Sequence, residues 1–301
     1  MYYAMKIVSY TLSLYIAAAP ASAHEDAPYV QYLGTGAADI HRPDHCECKN
    51  CSYTRAEGGR NKRRYSSLYA HPGVVIDFSI TGMTSLEECG IHPRDINYLL
   101  FTHSHSDHFN VSALMELIAA RGDAQPLSVF GNSTVVHLIK QHIESLETDI
   151  ALTVTAINAF QDFVAGEWQC TSLAANHAAT HEECLLYTLT RNGRSVLYAT
   201  DTTWFPARTF FALQNKKLDI AIVEATFGPE TEAAYLITHM NFHFNALIRE
   251  HLIKKNILKP EGIYALTHLS LHYVAPYDKI HPEMLRQGML IPHDGLKLTF
   301  D

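Results

Sequence analysis

The sequence predicts a layered α/β protein, and three observations carry that expectation. Short apolar, strand-like runs alternate with helix-length segments, several of those runs stop at a histidine or an aspartate, and the composition suits one extensive core. Of 301 residues, 47% are hydrophobic and 18% charged, so the chain can bury a large core without splitting into independent halves. No long linker, low-complexity tract or evident internal repeat interrupts it. Apolar runs rich in β-branched and aromatic residues read as strands at 74–77, 98–101, 171–176, 196–200, 218–227 and 263–267. Helices are expected at 111–120, 133–146, 207–215 and 242–256, where they separate the strands as a layered arrangement requires.

The run at 98–101 delivers the densest chemistry, Thr102-His103-Ser104-His105-Ser106-Asp107-His108. Neutral imidazoles are good donors for zinc-like ions and a carboxylate adds charge. Four such groups in six residues are too crowded for one ion, so the loop is expected to serve two ions side by side. Three more runs end in the same way, 171–176 in His177, 196–200 in Asp201 and 263–267 in His268. Any one of these alone would pass for a hydrogen-bonded residue at a sheet edge. Together they place seven candidate ligands on four strand ends, where open α/β sheets gather their sites.

The N-terminus has a different character. Lys6 precedes an apolar stretch at 7–19, then Pro20 and Ala21-Ser22-Ala23, which is the pattern of a secretory signal cleaved before His24. The apolar stretch falls short of the ~20 residues of a membrane span, although an uncleaved anchor is the alternative, and Met5 competes with Met1 as the start. The expected organisation is therefore a signal at 1–23 and one catalytic domain at 24–301, exported to the periplasm or secreted. Loss of Lys6 leaves 22 basic against 31 acidic residues, a formal charge of −9. That balance argues against nonspecific nucleic-acid binding.

Cys46-Glu47-Cys48-Lys49-Asn50-Cys51 places three thiols in six residues. These spacings close disulfides among themselves poorly but wrap a tetrahedral zinc well, given a fourth ligand. Disulfides to Cys89, Cys170 or Cys184 are the alternative in an exported chain. Arg55, Arg60, Lys62, Arg63 and Arg64 form a basic loop, read as solvated charge on an acidic protein, with phosphate holding as the second reading. His142 and His181 are left unassigned, and Tyr65, Tyr69, Trp204 and Phe205 are expected in the core or at its rim.

The H-x-H-x-D-H loop followed by His177, Asp201 and His268 resembles the metallo-β-lactamase-fold hydrolases, over about Tyr32 to His272. The resemblance implies a four-layer αββα sandwich. It also implies that His103, His105 and His177 hold one divalent ion, that Asp107, His108 and His268 hold the other, and that Asp201 bridges them. Zinc is the first choice, with manganese and iron open. Asp77 is implied as a group behind the site that orients the ligand loop, against the plainer reading of a turn carboxylate.

Gly34-Thr35-Gly36 with Cys46-x-Cys48-x-x-Cys51 is similar to the phosphodiesterase of the carbon-phosphorus lyase pathway. That likeness implies His272 as fourth ligand of a structural zinc, one residue later than the family spacing, with His41 and His45 as alternatives. The same cysteine pattern resembles an accessory protein of pyrroloquinoline quinone biosynthesis, so a binding role stands as an alternative. Residues 218–227 with Glu224, and Thr238-His239-Met240-Asn241, resemble tRNA 3′-end processing enzymes. His239 is thereby implied to protonate a departing alkoxide and Glu224 to fix its tautomer; His243 is the rival donor. Asp107, Glu224 and His239 are the expected catalytic groups.

The expected function is a two-metal phosphodiesterase acting on a small phosphodiester, cyclic esters included, through a metal-bridging hydroxide. Hydrolysis of a lactone, thioester or β-lactam is the alternative. The expected partners are a small-molecule phosphoester, no specific nucleic acid, no membrane span in the mature chain, and a second copy as a homodimer.

Overall fold

The computed structural model describes residues 27–41, 45–122, 125–146, 150–177, 182–232 and 237–300. The expected signal at 1–23 and His181 lie outside them. Thirteen strands form two sheets among the described residues. The first is built from β1 (Tyr29–Gly34), β2 (Ser67–His71), β3 (Val74–Ile76), β4 (Tyr98–Leu100), β5 (Leu127–Gly131), β6 (Leu152–Ala156) and β13 (Lys297–Thr299), in the order β13-β1-β2-β3-β4-β5-β6. The second holds β7 (Asp162–Ala165), β8 (Trp168–Ala174), β9 (Leu185–Arg191), β10 (Arg194–Ala199), β11 (Leu218–Glu224) and β12 (Leu258–Thr267), in the order β12-β11-β10-β9-β8-β7. In each sheet an antiparallel meander gives way to a parallel run, β3 to β6 in one and β10 to β12 in the other.

Side chains two residues apart share a face of a strand, and that alternation sorts the core into layers. Val74, Ile76 and Leu100 of the first sheet meet Tyr187, Tyr198, Ile220 and Ile222 of the second. Val75, Leu99 and Val129 point the other way, onto α2 (Gly82–Glu88), α3 (Val111–Arg121) and α4 (Ser133–Glu144) through Leu86, Leu114 and Ile139. Ala221 and Val223 likewise turn outward onto α5 (Ala207–Leu213), α6 (Phe242–Lys254) and α7 (Tyr277–Arg286) through Leu213, Ile248, Leu252 and Met284. A short α1 (Lys49–Glu57) carries Cys51. The result is helix, sheet, sheet, helix: the αββα sandwich. No helix among the described residues is long and apolar enough to cross a membrane.

The expected helices stand with small shifts. The one expected at 133–146 ends at Glu144 and the one at 207–215 at Leu213. Asn110, Asn132 and Asn241 cap α3, α4 and α6 by accepting from backbone N–H groups three residues on. The strand expected to deliver His177 stops at Ala174. Beyond it the chain leaves the ladder, since Ala175 N bonds Cys184 O and Asn176 N bonds Thr202 Oγ1.

Candidate metal centre

Asp77, Asp201 and His268 each follow the end of a strand, and all three are left-handed, with φ of 61°, 45° and 51°. A non-glycine residue in that region costs about 1–3 kcal/mol and persists where its surroundings over-determine it. The sharp turn at each strand end aims the side chain along the sheet edge instead of into a face.

The Asp201 carboxylate sits between two groups of imidazoles. Its Oδ1 lies 3.1 Å from His108 Nε2 and 3.0 Å from His268 Nε2, while its Oδ2 lies 3.6 Å from His103 Nε2 and 3.5 Å from His177 Nε2. His105 Nδ1 joins the second group, 3.3 Å from His177 Nε2, and Asp107 Oδ2 joins the first, 3.2 Å from His268 Nε2. Ligand atoms of His103, His105, His177 and Asp201 all fall within 4.8 Å of one another, as do those of Asp107, His108 and His268. All seven candidates from the sequence thus meet at one place. Burial is complete or nearly so for His103, His108, Asp201 and His268, whereas His105 is exposed and forms the mouth.

The opposite edges of the rings are committed elsewhere. His108 Nδ1 lies 2.8 Å from Asp77 Oδ2, His103 Nδ1 3.0 Å from Thr102 Oγ1, His177 Nδ1 3.1 Å from Thr238 O and His268 Nδ1 2.7 Å from Thr226 Oγ1. Asp77 is buried and also accepts from Thr102 N at 2.8 Å. Each ring that donates through Nδ1 turns the Nε2 lone pair toward the cluster, the tautomer a metal ligand needs. His103 Nε2 is buried and has no hydrogen-bond partner. An idle buried acceptor is costly, and a divalent cation is the partner this donor set suits. Burial drives the His103 imidazole well below its ordinary range, which keeps that lone pair free. Burial alone would raise the Asp201 carboxyl, but His108 and His268 outweigh it and hold the group well below the usual carboxylate range.

Glu224, fully buried at the end of β11, organises the neighbouring loop. Its Oε1 faces His239 Nδ1 at 2.8 Å and accepts from Thr202 N at 2.9 Å, and its Oε2 accepts from Thr226 Oγ1 at 2.7 Å. Burial opposes charge on His239, yet Glu224 prevails and raises its pKa to about 9. The His239 ring stacks on that of His268, 5.3 Å between centroids, and it shares a cluster of potential ligand atoms with Asp201 and His268. His243, the rival donor, is exposed on α6.

Cys46, Cys48, Cys51 and His272 form a separate cluster, also within 4.8 Å. His272 Nε2 lies 3.4 Å from Cys46 Sγ and its Nδ1 3.2 Å from Asp39 Oδ2. His45 is exposed. All six cysteines are free, Cys89, Cys170 and Cys184 included, so the disulfide alternative is not taken up.

Sequence reasoning missed Thr102, Thr226 and Glu182. Glu182 accepts from Ser104 N at 3.1 Å, from Ser104 Oγ at 2.6 Å and from Asn132 Nδ2 at 2.7 Å, which ties down the H-x-H-x-D-H loop between its first two histidines. The threonines flank ligand motifs, but nothing in their spacing marks them. Nor does the basic loop behave as one solvated run: Arg55, Arg60 and Lys62 are exposed, while Arg63 is buried.

A family model described as a beta-lactamase superfamily domain matches residues 68–255. Among solved structures, the chain is similar to a diphosphatase of the PhnP family at 20% identity, over 91% of this chain and 97% of that one, with a TM-score of 0.68. It is similar to zinc-bound PqqB from Methylobacterium extorquens at 15% identity, over 90% and 99%, with a TM-score of 0.68. The short form of human tRNase Z gives 16% identity, 91% and 99%, and a TM-score of 0.64. At such identities the likeness is one of fold. No curated protein matches the chain.

Proposed function

Because this chain belongs to the beta-lactamase superfamily, we propose that it is a two-metal hydrolase that cleaves small phosphodiesters. His103, His105, His177 and Asp201 would hold one divalent ion, and Asp107, His108, His268 and Asp201 the other. Such ions, when bound, polarise a phosphoryl oxygen and lower the pKa of water. Zinc suits the histidine-rich donor set, although manganese and iron also fit it.

The observation that favours a phosphodiester over a lactone or thioester is the Glu224–His239 pair. A departing alkoxide needs a proton, and a buried carboxylate 2.8 Å from Nδ1 raises the pKa of His239 and favours its acid form. The proton passes from His239 Nε2 to the leaving oxygen, while Glu224 compensates the charge and fixes the ring. Thr226 links Glu224 to His268 and so ties the acid to the metal-holding set. Cys46, Cys48, Cys51 and His272 are proposed to hold a structural zinc, with Asp39 orienting His272.

The test is hydrolysis of bis(p-nitrophenyl) phosphate by the chain from His24 onward, loaded with zinc or manganese, beside Asp201→Ala. Turnover abolished by the substitution supports the proposal. An Asp201→Ala protein that keeps full activity and both ions would sink the bridging assignment. Inert metal-loaded wild type would move the substrate to a lactone or thioester.

A further inference from the structure

We propose that this protein binds a small phosphate-bearing anion at a second site, separate from the metal centre. The site is a cavity of about 620 Å3 between residues 59–64 and the loop at 293–295, walled by Arg60, Lys62, Arg63, Arg64, His293 and Asp294. None of the seven strand-end ligand candidates lines it.

The cavity is cationic once its internal pairs are removed. Arg64 pairs with Glu88 of α2 and donates through Nε to Leu33 O at 3.1 Å and Ser85 Oγ at 3.0 Å. Both oxygens of Asp294 are engaged, Oδ1 by Thr35 Oγ1 at 2.8 Å and Oδ2 by Arg64 N at 2.6 Å. Four cationic side chains line the wall against two carboxylates, Glu88 and Asp294, with Asp39 acting on Arg63 from beyond the lining, so positive charge is in excess there.

Arg63 supplies the independent observation. It is 7% exposed, its Nη1 reaches Thr35 Oγ1 at 3.5 Å, and its Nη2 is buried with no partner. A guanidinium carries five donors in a rigid fork that fits an oxyanion, and leaving one donor idle in the interior is unfavourable. Burial pulls its pKa down only to about 10, with Asp294 and Asp39 acting the other way, so the charge persists at neutral pH. At the exposed part of the wall, Arg60 lies 5.9 Å over the Tyr277 ring, and the Lys62 ammonium has no hydrogen bond or ion pair among the described residues. Two exposed cations backed by one buried guanidinium with a spare donor suit a multiply charged tetrahedral oxyanion better than a lone carboxylate.

The wall is also joined to the metal centre. Arg64 O accepts from Gly36 N at 2.7 Å, and the adjacent Thr35 O accepts from Leu269 N at 2.8 Å, the residue after His268. An anion in the cavity therefore sits behind the segment that supports a ligand loop.

The experiment is calorimetric titration of the metal-loaded chain with inorganic phosphate at fixed ionic strength, for wild type and for Arg60→Ala/Lys62→Ala. Both side chains are exposed, so the double variant is expected to fold. The expected result is a phosphate-binding event weakened at least tenfold in the variant, with bis(p-nitrophenyl) phosphate turnover within twofold of wild type. Phosphate held at the metals appears equally in both proteins. An isotherm indistinguishable between the two overturns the proposal. Arg63→Gln should lose the same event; should it fail to fold, the exposed pair decides. A phenyl phosphate titration that is tighter than phosphate assigns the site to a phosphomonoester, and a weaker one assigns it to free phosphate. Because binding is read without turnover, an inactive wild type would count against the phosphodiesterase proposal and leave this one standing or falling on its own isotherm.

Discussion

Replacing Asp77 by asparagine keeps the size and shape of a buried side chain but makes it a donor on one side, and the consequence can be traced atom by atom. In the native protein Asp77 Oδ1 accepts from Thr102 N at 2.8 Å, and Oδ2 faces His108 Nδ1 at 2.8 Å. An asparagine that keeps its oxygen on Thr102 N turns its NH2 toward His108 Nδ1. Two donors then face each other unless the imidazole moves its proton to Nε2. That proton would point at Asp201 Oδ1, 3.1 Å away, where a ligand lone pair is needed. The other rotamer leaves the buried Thr102 N–H without a partner, which costs about 1–3 kcal/mol.

The metal-free Asp77→Asn protein should therefore hold the His108 proton on Nε2, where Asp201 and Asp107 already favour it, and lose no more than about 1–3 kcal/mol of stability. Metal binding at Asp107, His108 and His268 must reverse the switch, and a loss of that size corresponds to about 10–100-fold in affinity. Competition between the protein and a chromogenic zinc chelator measures this. One of the two active-site equivalents should weaken by that factor while the equivalent at His103, His105 and His177 is held far better. Two equivalents of wild-type affinity would refute the argument. So would loss of both together with a collapsed thermal transition in the metal-free protein, because that would mean Asp77 holds up the fold instead of setting a tautomer.

His239→Ala should cut kcat/KM for alkyl phosphodiesters by about 10²–10⁴ while costing under about tenfold for p-nitrophenyl esters, whose leaving group departs without a proton; equal losses across a leaving-group series would count against the acid role. Cys51→Ser, at a fully buried position, should lower zinc content by one equivalent per chain and depress the melting temperature while leaving the active-site equivalents in place, as read by elemental analysis and a thermal scan. Asp219 on β11 accepts from Lys259 Nζ at 2.7 Å and Ser195 N at 2.8 Å, and these bonds, working against partial burial, hold its carboxyl below the ordinary range. A depressed folded-state pKa contributes stability above the unfolded value near 4 and loses it as pH falls through the folded value. Asp219→Asn should thus be less stable by about 1–2 kcal/mol at pH 7, with the gap closing in denaturant titrations below about pH 4; a pH-independent gap would contradict the linkage.

The candidate ligands were legible because metal sites of this kind use residue types that are conspicuous at strand ends. H-x-H-x-D-H is dense, and His177, Asp201 and His268 each follow apolar runs that can only be strands or buried helix turns. The alternation of strands and helices was legible for a similar reason, and Val74-Val75-Ile76 and Ile220-Ala221-Ile222-Val223 are apolar on both faces, as strands between two layers must be; the αββα order itself came from the family resemblance. The conformation that aims the ligands was not legible. Left-handed φ at Asp77, Asp201 and His268 is imposed by surrounding hydrogen bonds between segments as much as 202 residues apart, as with Ser66 Oγ and His268 N. The orienting threonines escaped for the same cause, because a hydroxyl next to a ligand histidine looks no different from any other threonine. Arg63 shows the limit from the other side: five cations in ten residues look like one solvated run, and only the packing against Thr35 and Asp294 separates the buried one.

These long-range bonds explain why the ligand cluster is poised for cations. Thr238 O accepts from the outer edge of His177, Asp77 from that of His108, and Thr226 Oγ1, which itself donates to Glu224, from that of His268. With those protons fixed outward, the inner edges converge on Asp107 and Asp201, whose carboxylates favour a second proton on His108 and raise its pKa well above the ordinary range, while His103 Nε2 stays unprotonated and has nothing to accept from. A second proton on an imidazole relieves part of that electron-rich interior and keeps the outward donor. Two divalent cations, when bound, would replace such protons and neutralise both carboxylates at once. Under the proposed two-metal function, the stability of the fold and the loading of the site would be linked, and removing the ions should loosen first the segments whose side chains supply the inner edges: the H-x-H-x-D-H loop, Asn176–His177 and the turn at His268.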